Sequence, residues 1–360
     1  MADPSTCPPL TRASVIAAHA LITPYIHRTP VLTNTTLSQL ASAPLPSSSP
    51  PPNSTPSHPT IRFHFKCENL QRIGAFKARG AFHALERLKL SPTFNPSAGV
   101  ATHSSGNHAQ ALALAARTNG IPAHIVMPHI SSPAKLAATA GYGARIIPSG
   151  STSAEREEVT AKVIAETGAT LVPPYDHPDI MLGQGTAGLE LQEQVAPVKL
   201  DAIITPCGGG GLLSGTALSC EGTGIRVFGA EPSFEGADDA RRAYYSETGE
   251  RIPSVKTLTI ADGLRTPVGA VPWSIIYERR LVAGMYAVTE DQIKAALRLV
   301  YERMKVVVEP SAVVGLAVAL FNKDFRAMVE KEGGEKGWDI GVIFTGGNVS
   351  LEALGKLFSE

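Results

Sequence analysis

The chain has 360 residues and a mass of 37.8 kDa, with 32 basic and 32 acidic side chains and 43% hydrophobic residues. A formal net charge of zero and a pI of about 7.2 exclude a general attraction to nucleic acid or to an anionic membrane, so we expect a small-molecule partner. No apolar run reaches the roughly 18 residues of a transmembrane helix, and residues 1–12 lack the features of a signal peptide. We therefore expect a cytoplasmic protein, and its length suggests about two domains.

The four cysteines, Cys7, Cys67, Cys207 and Cys220, lie far apart in the sequence. No two of them form a CxxC pair, which disfavours both a zinc ribbon and a redox dithiol. We predict free, buried thiols.

A proline-rich segment interrupts the first part of the chain at residues 43–60, which contain seven prolines. Such a composition favours extended polyproline conformations and cannot build a core. It predicts an exposed insertion. A docking site for a proline-binding partner is the alternative interpretation.

The rest of the chain alternates between short runs rich in Val and Ile and longer Ala-rich segments. The predicted strands are 61–67, 99–102, 123–127, 145–148, 170–172, 202–206, 226–230 and 340–344. The predicted helices are 76–88, 108–119, 133–140, 154–167, 183–194, 212–220 and 291–305. Apolar strands that alternate with helices predict an α/β fold with doubly wound parallel sheets.

Lys77 follows Phe76 near the start of the first of these helices. A cation is unfavourable at the positive end of a helix dipole, and burial would lower its pKa. Lysines of lowered pKa form Schiff bases. Taken alone, this lysine also fits an ordinary solvated surface residue.

A polar turn joins the next predicted strand to its helix and contains Ser104, Ser105, Gly106, Asn107 and His108. Hydroxyl groups and free N–H groups at a helix N-terminus suit a carboxylate ligand. The same residues also fit a helix cap beside a loop histidine.

Four consecutive glycines, 208–211, stand where a predicted strand gives way to a helix. Their N–H groups can converge on an anion, so we predict a phosphate site rather than a merely flexible turn. The spacing matches neither a P-loop nor GxGxxG. A second glycine pair, 346–347, also follows an apolar strand, so the two loops can frame one ligand.

Together, the segments 74–80, 104–108, 208–212 and 345–348 resemble the fold-type II pyridoxal-phosphate enzymes (tryptophan synthase beta-like). Within that group the chain looks most similar to the serine racemase and serine/threonine dehydratase branch. The resemblance implies two doubly wound open-sheet domains and a homodimer. It implies a small domain at 98–172 and a large cofactor-binding domain formed by 1–97 and 173–360.

The resemblance also assigns roles to individual residues. It implies that Lys77 binds pyridoxal phosphate as a Schiff base and then acts as the base at the substrate α-carbon, while Ser105 reprotonates the opposite face in racemisation. The further cofactor contacts it implies are Phe76, Asn107, Gly208, Gly209, Gly210, Gly211, Leu212, Glu309 and Thr345. The substrate contacts it implies are Ser104, Ser105, Gly106, His108 and Tyr175. A neutral hydroxyl at Thr345, facing the cofactor ring nitrogen, would suit β-elimination.

Two ligand sites outside the catalytic centre follow from the same resemblance. Glu231, Asp239 and the carbonyl of Ala237 resemble a site for Mg²⁺ or Ca²⁺, although the spacer before Ala237 is longer than usual by about two residues. Without the resemblance, an acidic helix start would explain these carboxylates. Tyr142 and Lys305 match positions that contact ATP as an effector.

The expected function is an ammonia-lyase, or dehydratase, that converts L-serine, L-threonine or a related hydroxy amino acid to a keto acid and ammonia, with serine racemase activity. Tyr175 stands where animal racemases carry a small amide, which favours elimination. The alternatives are a predominant serine racemase, a 3-hydroxyaspartate dehydratase and, further from the pattern, a β-replacing synthase. A protein of this fold that binds pyridoxal phosphate without catalysis, held to a partner by its proline-rich segment, is the remaining alternative.

Overall fold

The computed structural model describes residues 4–45, 58–104, 106–131 and 133–359. The strands are β1 (Val31–Leu32), β2 (Ile61–Cys67), β3 (Val100–His103), β4 (Ala123–Pro128), β5 (Arg145–Ser149), β6 (Thr170–Leu171), β7 (Ala202–Pro206), β8 (Arg226–Pro232), β9 (Gly284–Val288) and β10 (Trp338–Phe344). The helices are α1 (Arg12–Ile22), α2 (Thr35–Ser42), α3 (Lys77–Lys89), α4 (Asn107–Thr118), α5 (Pro133–Gly141), α6 (Ser153–Thr167), α7 (Pro178–Val195), α8 (Gly211–Cys220), α9 (Asp239–Tyr244), α10 (Ala270–Trp273), α11 (Glu290–Leu299), α12 (Val314–Phe321), α13 (Lys323–Gly333) and α14 (Leu351–Phe358).

The larger sheet has the strand order β1-β2-β10-β7-β8-β9, in which only the short edge strand β1 is antiparallel to its neighbour. Successive residues of β7 enter different cores, since Ile203 packs with α1, α7 and α8 while Ile204 packs with α2, α11 and α12. A strand that is buried on both faces is typical of a parallel sheet with helices on both sides. The predicted doubly wound architecture is confirmed.

The smaller sheet has the order β5-β4-β3-β6 and is parallel throughout. Its core contains Val100 and Ile125 from the strands, Leu112 from α4, and Phe82 and Leu85 from α3. Helix α3 also packs against α7, which covers the larger sheet. The first residue of α3 therefore lies where the elements of the two sheets meet.

The eight predicted strands are confirmed to within two residues at each end, and β1 and β9 were not predicted. Helix α7 begins five residues before its predicted start, because His177 caps it and Pro178 occupies the first helical position, where no N–H is needed. The four cysteines are free, as predicted, but Cys7 is partly exposed rather than buried. Residues 46–57 of the predicted insertion, and Ser105, lie outside the described part of the chain.

Helices α7 and α8 pack closely because two glycines face each other. A Cβ atom on Gly185 would stand 2.4 Å from the carbonyl oxygen of Gly215. A Cβ atom on Gly215 would stand 2.3 Å from the carbonyl oxygen of Met181. Both neighbours are backbone atoms, which cannot move aside as a flexible side chain can.

We expect Gly185→Ala to lower the free energy of unfolding by about 1–3 kcal/mol, because the added methyl group overpacks the contact between α7 and α8. Thermal and urea unfolding followed by circular dichroism measure the change. Gly355→Ala in α14 is the matched control, since a Cβ there meets no atom within 4 Å. If both variants unfold alike, close packing of the two helices is not what requires glycine at 185.

Candidate active site

Lys77 is the first residue of α3, and its side chain is partly buried. Its Nζ donates a hydrogen bond to the carbonyl oxygen of Pro174 at 2.7 Å and lies 5.2 Å from the centre of the Phe76 ring. Burial lowers the pKa of Lys77 to about 8, and the negative charge of Glu309 opposes this shift. About a tenth of the amine is therefore unprotonated at pH 7, far more than for a lysine of ordinary pKa, and the unprotonated form is the nucleophile or base.

The glycine loop joins β7 to α8, and Gly210 takes the left-handed conformation with φ of 84°. A Cβ atom on Gly208 would stand 2.9 Å from Leu264 Cα, and one on Gly209 would stand 2.3 Å from the Tyr175 ring. Gly210 caps α8 without any side chain, so the first N–H groups of the helix have no side-chain acceptor from the cap. This loop fits a phosphate group and excludes side chains.

The lysine and the glycine loop are brought together by two consecutive residues. Pro174 accepts the hydrogen bond from Lys77, and the ring of Tyr175 packs against Gly209. Burial, together with the charge of Asp176, raises the pKa of Tyr175 to about 12, so its hydroxyl stays protonated. An amine and an anion cradle therefore flank the same short turn.

Glu309, whose charge acts on Lys77, forms the centre of a polar cluster. The side-chain amide of Asn107 donates to both of its oxygens, at 3.1 and 3.3 Å, and Asn348 donates to Asn107 Oδ1 at 2.8 Å. The backbone N–H of Glu309 is bonded to Gly346. Burial and the nearby charge of Asp262 raise the pKa of Glu309 to about 7. Asn107 and Glu309, which are 202 residues apart in sequence, thus lie together as expected for one site.

The polar turn before α4 leaves open space at its tip. The backbone N–H of Ser104 donates to Val126, and that of Gly106 donates to the Ser104 hydroxyl at 3.4 Å. A Cβ atom on Gly106 would meet nothing within 4 Å. A small ligand can approach the backbone here. Ser105 lies outside the described residues, so both of its expected roles stay predictions.

The side chain of His108 points away from this opening and is only 2% exposed. Its Nε2 donates to the carbonyl oxygen of Val172 at 3.0 Å, and Nδ1 is then an acceptor that has no partner among the described residues. Burial and the charge of Lys77 lower the pKa of His108 to about 3, so the ring is neutral. In this state the ring offers no free N–H to a carboxylate, and its expected contact with substrate stays a prediction.

Thr345 and Leu212 frame the site from the ends of two central elements. Thr345 follows β10, is 4% exposed and accepts a backbone hydrogen bond from Phe76 at 3.0 Å. Leu212, in the first turn of α8, packs its side chain into the core. Its backbone is therefore the part available to a ligand.

The two carboxylates of the expected metal site are buried near each other, at the end of β8 and the start of α9. Glu231 accepts hydrogen bonds from the N–H groups of Ala240 and Arg241, and Asp239 accepts one from Val268. Burial and the charge of Asp239 raise the pKa of Glu231 well above its ordinary value, and burial raises that of Asp239 to about 6. Paired buried carboxyl groups of this kind fit a hard cation, which would relieve their repulsion.

The unusually long spacer before Ala237 forms a tight turn. Phe234–Gly236 is a short 3-10 helix in which Glu235 and Gly236 have positive φ angles of 50° and 76°. Ala237 itself is buried and donates its N–H to the carbonyl of Phe234. The two extra residues are thus accommodated locally.

The two residues expected to contact ATP belong to different parts of the fold. Tyr142 follows α5 and packs on the core of the smaller sheet. Lys305 follows the π-helical turn Val300–Met304 that continues α11. It has a left-handed conformation with φ of 60°, and its Nζ contacts the carbonyl of Glu302. Nothing in this arrangement tests the nucleotide prediction.

Sequence reasoning missed three participants in the site: Pro174, Asp262 and Asn348. Asn348 lies in the segment 345–348 that carries the family resemblance. The sequence does not show, however, that its side chain bonds to Ile73 and Asn107. Pro174 takes part through its backbone carbonyl. Every residue has such a carbonyl, so the amino-acid type at this position does not predict the role.

Comparisons with known proteins agree with this geometry. The sequence matches the family described as "Pyridoxal-phosphate dependent enzyme" over residues 47–346. It is 42% identical to the serine racemase of Dictyostelium discoideum over 97% of this chain and 98% of that protein. It is 40% identical to the L-threo-3-hydroxyaspartate ammonia-lyase of Saccharomyces cerevisiae, over 97% of this chain and 96% of that protein. The crystal structure of the Dictyostelium racemase superposes with a TM-score of 0.80 at 41% identity, covering 95% of this chain and 99% of that one.

The residues present also fit pyridoxal phosphate. The amine of Lys77 can bind its aldehyde, and the loop from Gly208 to Gly211 is shaped for its phosphate and admits no Cβ atom at Gly208 or Gly209 without displacing a neighbour. The match spans most of the chain, and the identity to relatives extends over nearly all of it. The chain belongs to the family of pyridoxal-phosphate-dependent enzymes.

Proposed function

We propose that the protein is an ammonia-lyase that converts L-serine, L-threonine or 3-hydroxyaspartate to a keto acid and ammonia, with serine racemisation as a second activity. The observation that carries this proposal is the Pro174–Tyr175 turn, which bonds to the reactive amine of Lys77 on one side and packs on the glycine loop on the other. Relatives named as a serine racemase and as an ammonia-lyase support the substrate class.

Each part of the site has a task in such a reaction. Pyridoxal phosphate, when bound, supplies an electron sink for the electron pair left at the substrate α-carbon. Lys77, with its pKa of about 8, can take the proton from that carbon near neutral pH. The N–H groups at the start of α8 hold the phosphate, and the open tip at Gly106 gives room for the substrate carboxylate.

Predominant serine racemase activity is the second candidate function, favoured by the 42% identity to a serine racemase. We assign the reprotonation in that reaction to Ser105. Tyr175 favours elimination, because a phenol lies where an amide could otherwise hold the substrate hydroxyl by a hydrogen bond.

Two properties of the whole molecule are part of the proposal. Residues 98–172 form the small domain and residues 1–97 and 173–360 the large one, which accords with the confinement of β3–β6 to residues 100–171. We further propose that the enzyme works as a homodimer, which light scattering on the purified protein would test.

Two regulatory ligands complete the proposal. Glu231, Asp239 and the Ala237 carbonyl would bind Mg²⁺ or Ca²⁺, supported by the burial of both carboxyl groups, which raises their pKa values, and by the charge of Asp239, which adds to the rise at Glu231. Tyr142 and Lys305 would contact ATP as an effector, a proposal that rests on family resemblance alone.

Lys77→Ala should abolish keto acid formation from every member of a panel of L- and D-serine, L-threonine and 3-hydroxyaspartate, because it removes the amine that serves as base. The visible absorption of the bound cofactor should disappear with it. Lys356→Ala, at an exposed lysine of α14, is the control and should keep both. Turnover by Lys77→Ala, or a wild-type protein that binds pyridoxal phosphate but releases no ammonia from this panel, would contradict the assignment.

Tyr175→Asn should raise the ratio of D-serine to pyruvate formed from L-serine by about five- to tenfold, the rate equivalent of one net hydrogen bond. The amide would hold the substrate hydroxyl and slow its departure. Chiral chromatography and a coupled pyruvate assay measure the two products. Tyr175→Phe keeps the ring against Gly209 and should leave the ratio unchanged, and a ratio unaltered in both variants would remove Tyr175 from the choice between reactions.

Glu231→Gln should abolish the rise in melting temperature that Mg²⁺ produces in the wild type, because one anionic ligand is lost. Because the variant also loses one acceptor for the N–H groups of Ala240 and Arg241, the Mg²⁺ response is compared within each protein, with and without the ion. Glu235→Gln, in the neighbouring turn, is the control and should keep the Mg²⁺ response. Differential scanning calorimetry with and without Mg²⁺ gives the answer, and an undiminished response in Glu231→Gln would refute this site.

A further inference from the structure

A separate group of metal-binding side chains lies where the N-terminal segment meets the start of α7. Ligand atoms of Cys7, His177 and Asp179 all lie within 4.8 Å of one another. His177 and Asp179 are each 3% exposed, and Cys7 is partly exposed. The thiol donates a hydrogen bond to Asp179 Oδ2 at 3.4 Å across 172 residues of sequence. None of these three residues belongs to the catalytic site or to the Glu231–Asp239 pair.

We propose that Cys7, His177 and Asp179 bind a Zn²⁺ ion, with the fourth position taken by water. Sulfur, imidazole nitrogen and carboxylate oxygen are the ligands that zinc takes in proteins. Tetrahedral coordination with bonds of about 2.3 Å to sulfur and about 2.0 Å to oxygen requires a sulfur–oxygen separation of about 3.5 Å. The observed 3.4 Å between Cys7 Sγ and Asp179 Oδ2 meets this requirement.

The carboxylate of Asp179 is buried and is ion-paired through Oδ1 with Arg87, while Oδ2 is the oxygen that faces the Cys7 thiol. Its Oδ1 accepts no hydrogen bond within the described stretches of the chain, although it is fully shielded from solvent. Arg87 Nε stands 3.5 Å from Oδ1 and makes no hydrogen bond to any residue that the structure describes. Arg87 additionally donates to the carbonyl of Thr6. Arg87 therefore competes with a metal ion for the same carboxylate and would weaken its binding.

Zinc binding at this site would release one proton. The Cys7 thiol, protonated at neutral pH in the absence of metal, passes its proton to the solvent as the thiolate binds. His177 Nδ1 accepts the capping hydrogen bond from the N–H of Asp179 at 3.2 Å, and zinc binding through this nitrogen would replace that hydrogen bond. One proton thus leaves for each zinc ion, and the partly exposed Cys7 gives the ion a way in.

This location connects the metal to the catalytic turn, because His177 is three residues from Pro174, whose carbonyl accepts from Lys77. The two proposed metal sites differ in chemistry. A thiolate selects zinc over magnesium, whereas Glu231 and Asp239 offer only oxygen. Saturating Mg²⁺ should therefore leave the zinc site available.

The experiment uses the chelator-treated holoenzyme in saturating Mg²⁺, titrated with Zn²⁺ by calorimetry and with Co²⁺ by absorption. We expect one Zn²⁺ per chain, one proton released in buffers of different ionisation enthalpy, and a near-ultraviolet thiolate-to-cobalt band. Cys7→Ser keeps the hydrogen bond to Asp179 but should remove the band and weaken Zn²⁺ binding by more than about tenfold, since even residues behind the ligands contribute that much. His177→Asn, which preserves the cap of α7, should weaken binding similarly.

Two further variants separate metal binding from a structural role. Cys220→Ser removes a buried thiol elsewhere and should leave Zn²⁺ binding unchanged. Arg87→Gln should tighten binding by about tenfold, because it removes the competing cation. Absence of the cobalt band in the wild type, or Zn²⁺ affinity that neither Cys7→Ser nor Arg87→Gln alters, would overturn the proposal and leave the cluster as a purely structural contact.

Discussion

The buried guanidinium of Arg79 is the interaction on which the geometry of the site depends. It donates to both oxygens of Glu68, at 2.7 and 2.8 Å, and to both oxygens of Glu190, at 2.9 and 2.8 Å. Lys66 adds a second buried cation 2.6 Å from Glu190. Two cations thus balance two carboxylates in the core, where any unpaired charge would be severely destabilising. Because these residues belong to β2, the turn after it, α3 and α7, the network sets where α3 begins, and Lys77 is its first residue.

Burial shifts the pKa values of two titratable groups in the site, Lys77 and Glu309, in opposite directions. Both values therefore approach neutral pH. The pKa of Lys77 falls to about 8 and that of Glu309 rises to about 7, and the negative charge of Glu309 favours the protonated form of the lysine. Asp262 adds to the rise at Glu309, while Lys135, 2.9 Å from Asp262, opposes it. Lys135 lies on α5 beside the smaller sheet, so the charges that act on Glu309 come from both parts of the fold.

The features predicted correctly from the sequence are those that depend on a few consecutive residues. A Val- or Ile-rich run predicts a buried strand, and four glycines between such a strand and a helix predict an anion cradle, because both depend on neighbours along the chain. Helix α12 was missed since it is apolar all round, without the 3.6-residue period that marks a half-exposed helix. The role of Glu190 was not predicted, because it depends on an ion pair with Arg79, which lies 111 residues away in the sequence. The placement of His108, whose ring bonds to Val172, likewise depends on a distant carbonyl.

The turn that precedes α7 is the place where this chain can vary its chemistry without losing the cofactor site. The glycine loop has no such freedom, since a side chain on Gly209 or Gly211 would meet Tyr175, and one on Gly210 would meet Pro272. In the turn, by contrast, Pro174 acts through its carbonyl, which any residue would provide. Asp176 caps α10 through two backbone N–H groups, a task that Asn or Ser can also perform. Of these three turn residues, Tyr175 is the one whose side chain packs on the glycine loop. We therefore expect differences in substrate or reaction among related chains to be concentrated at this position.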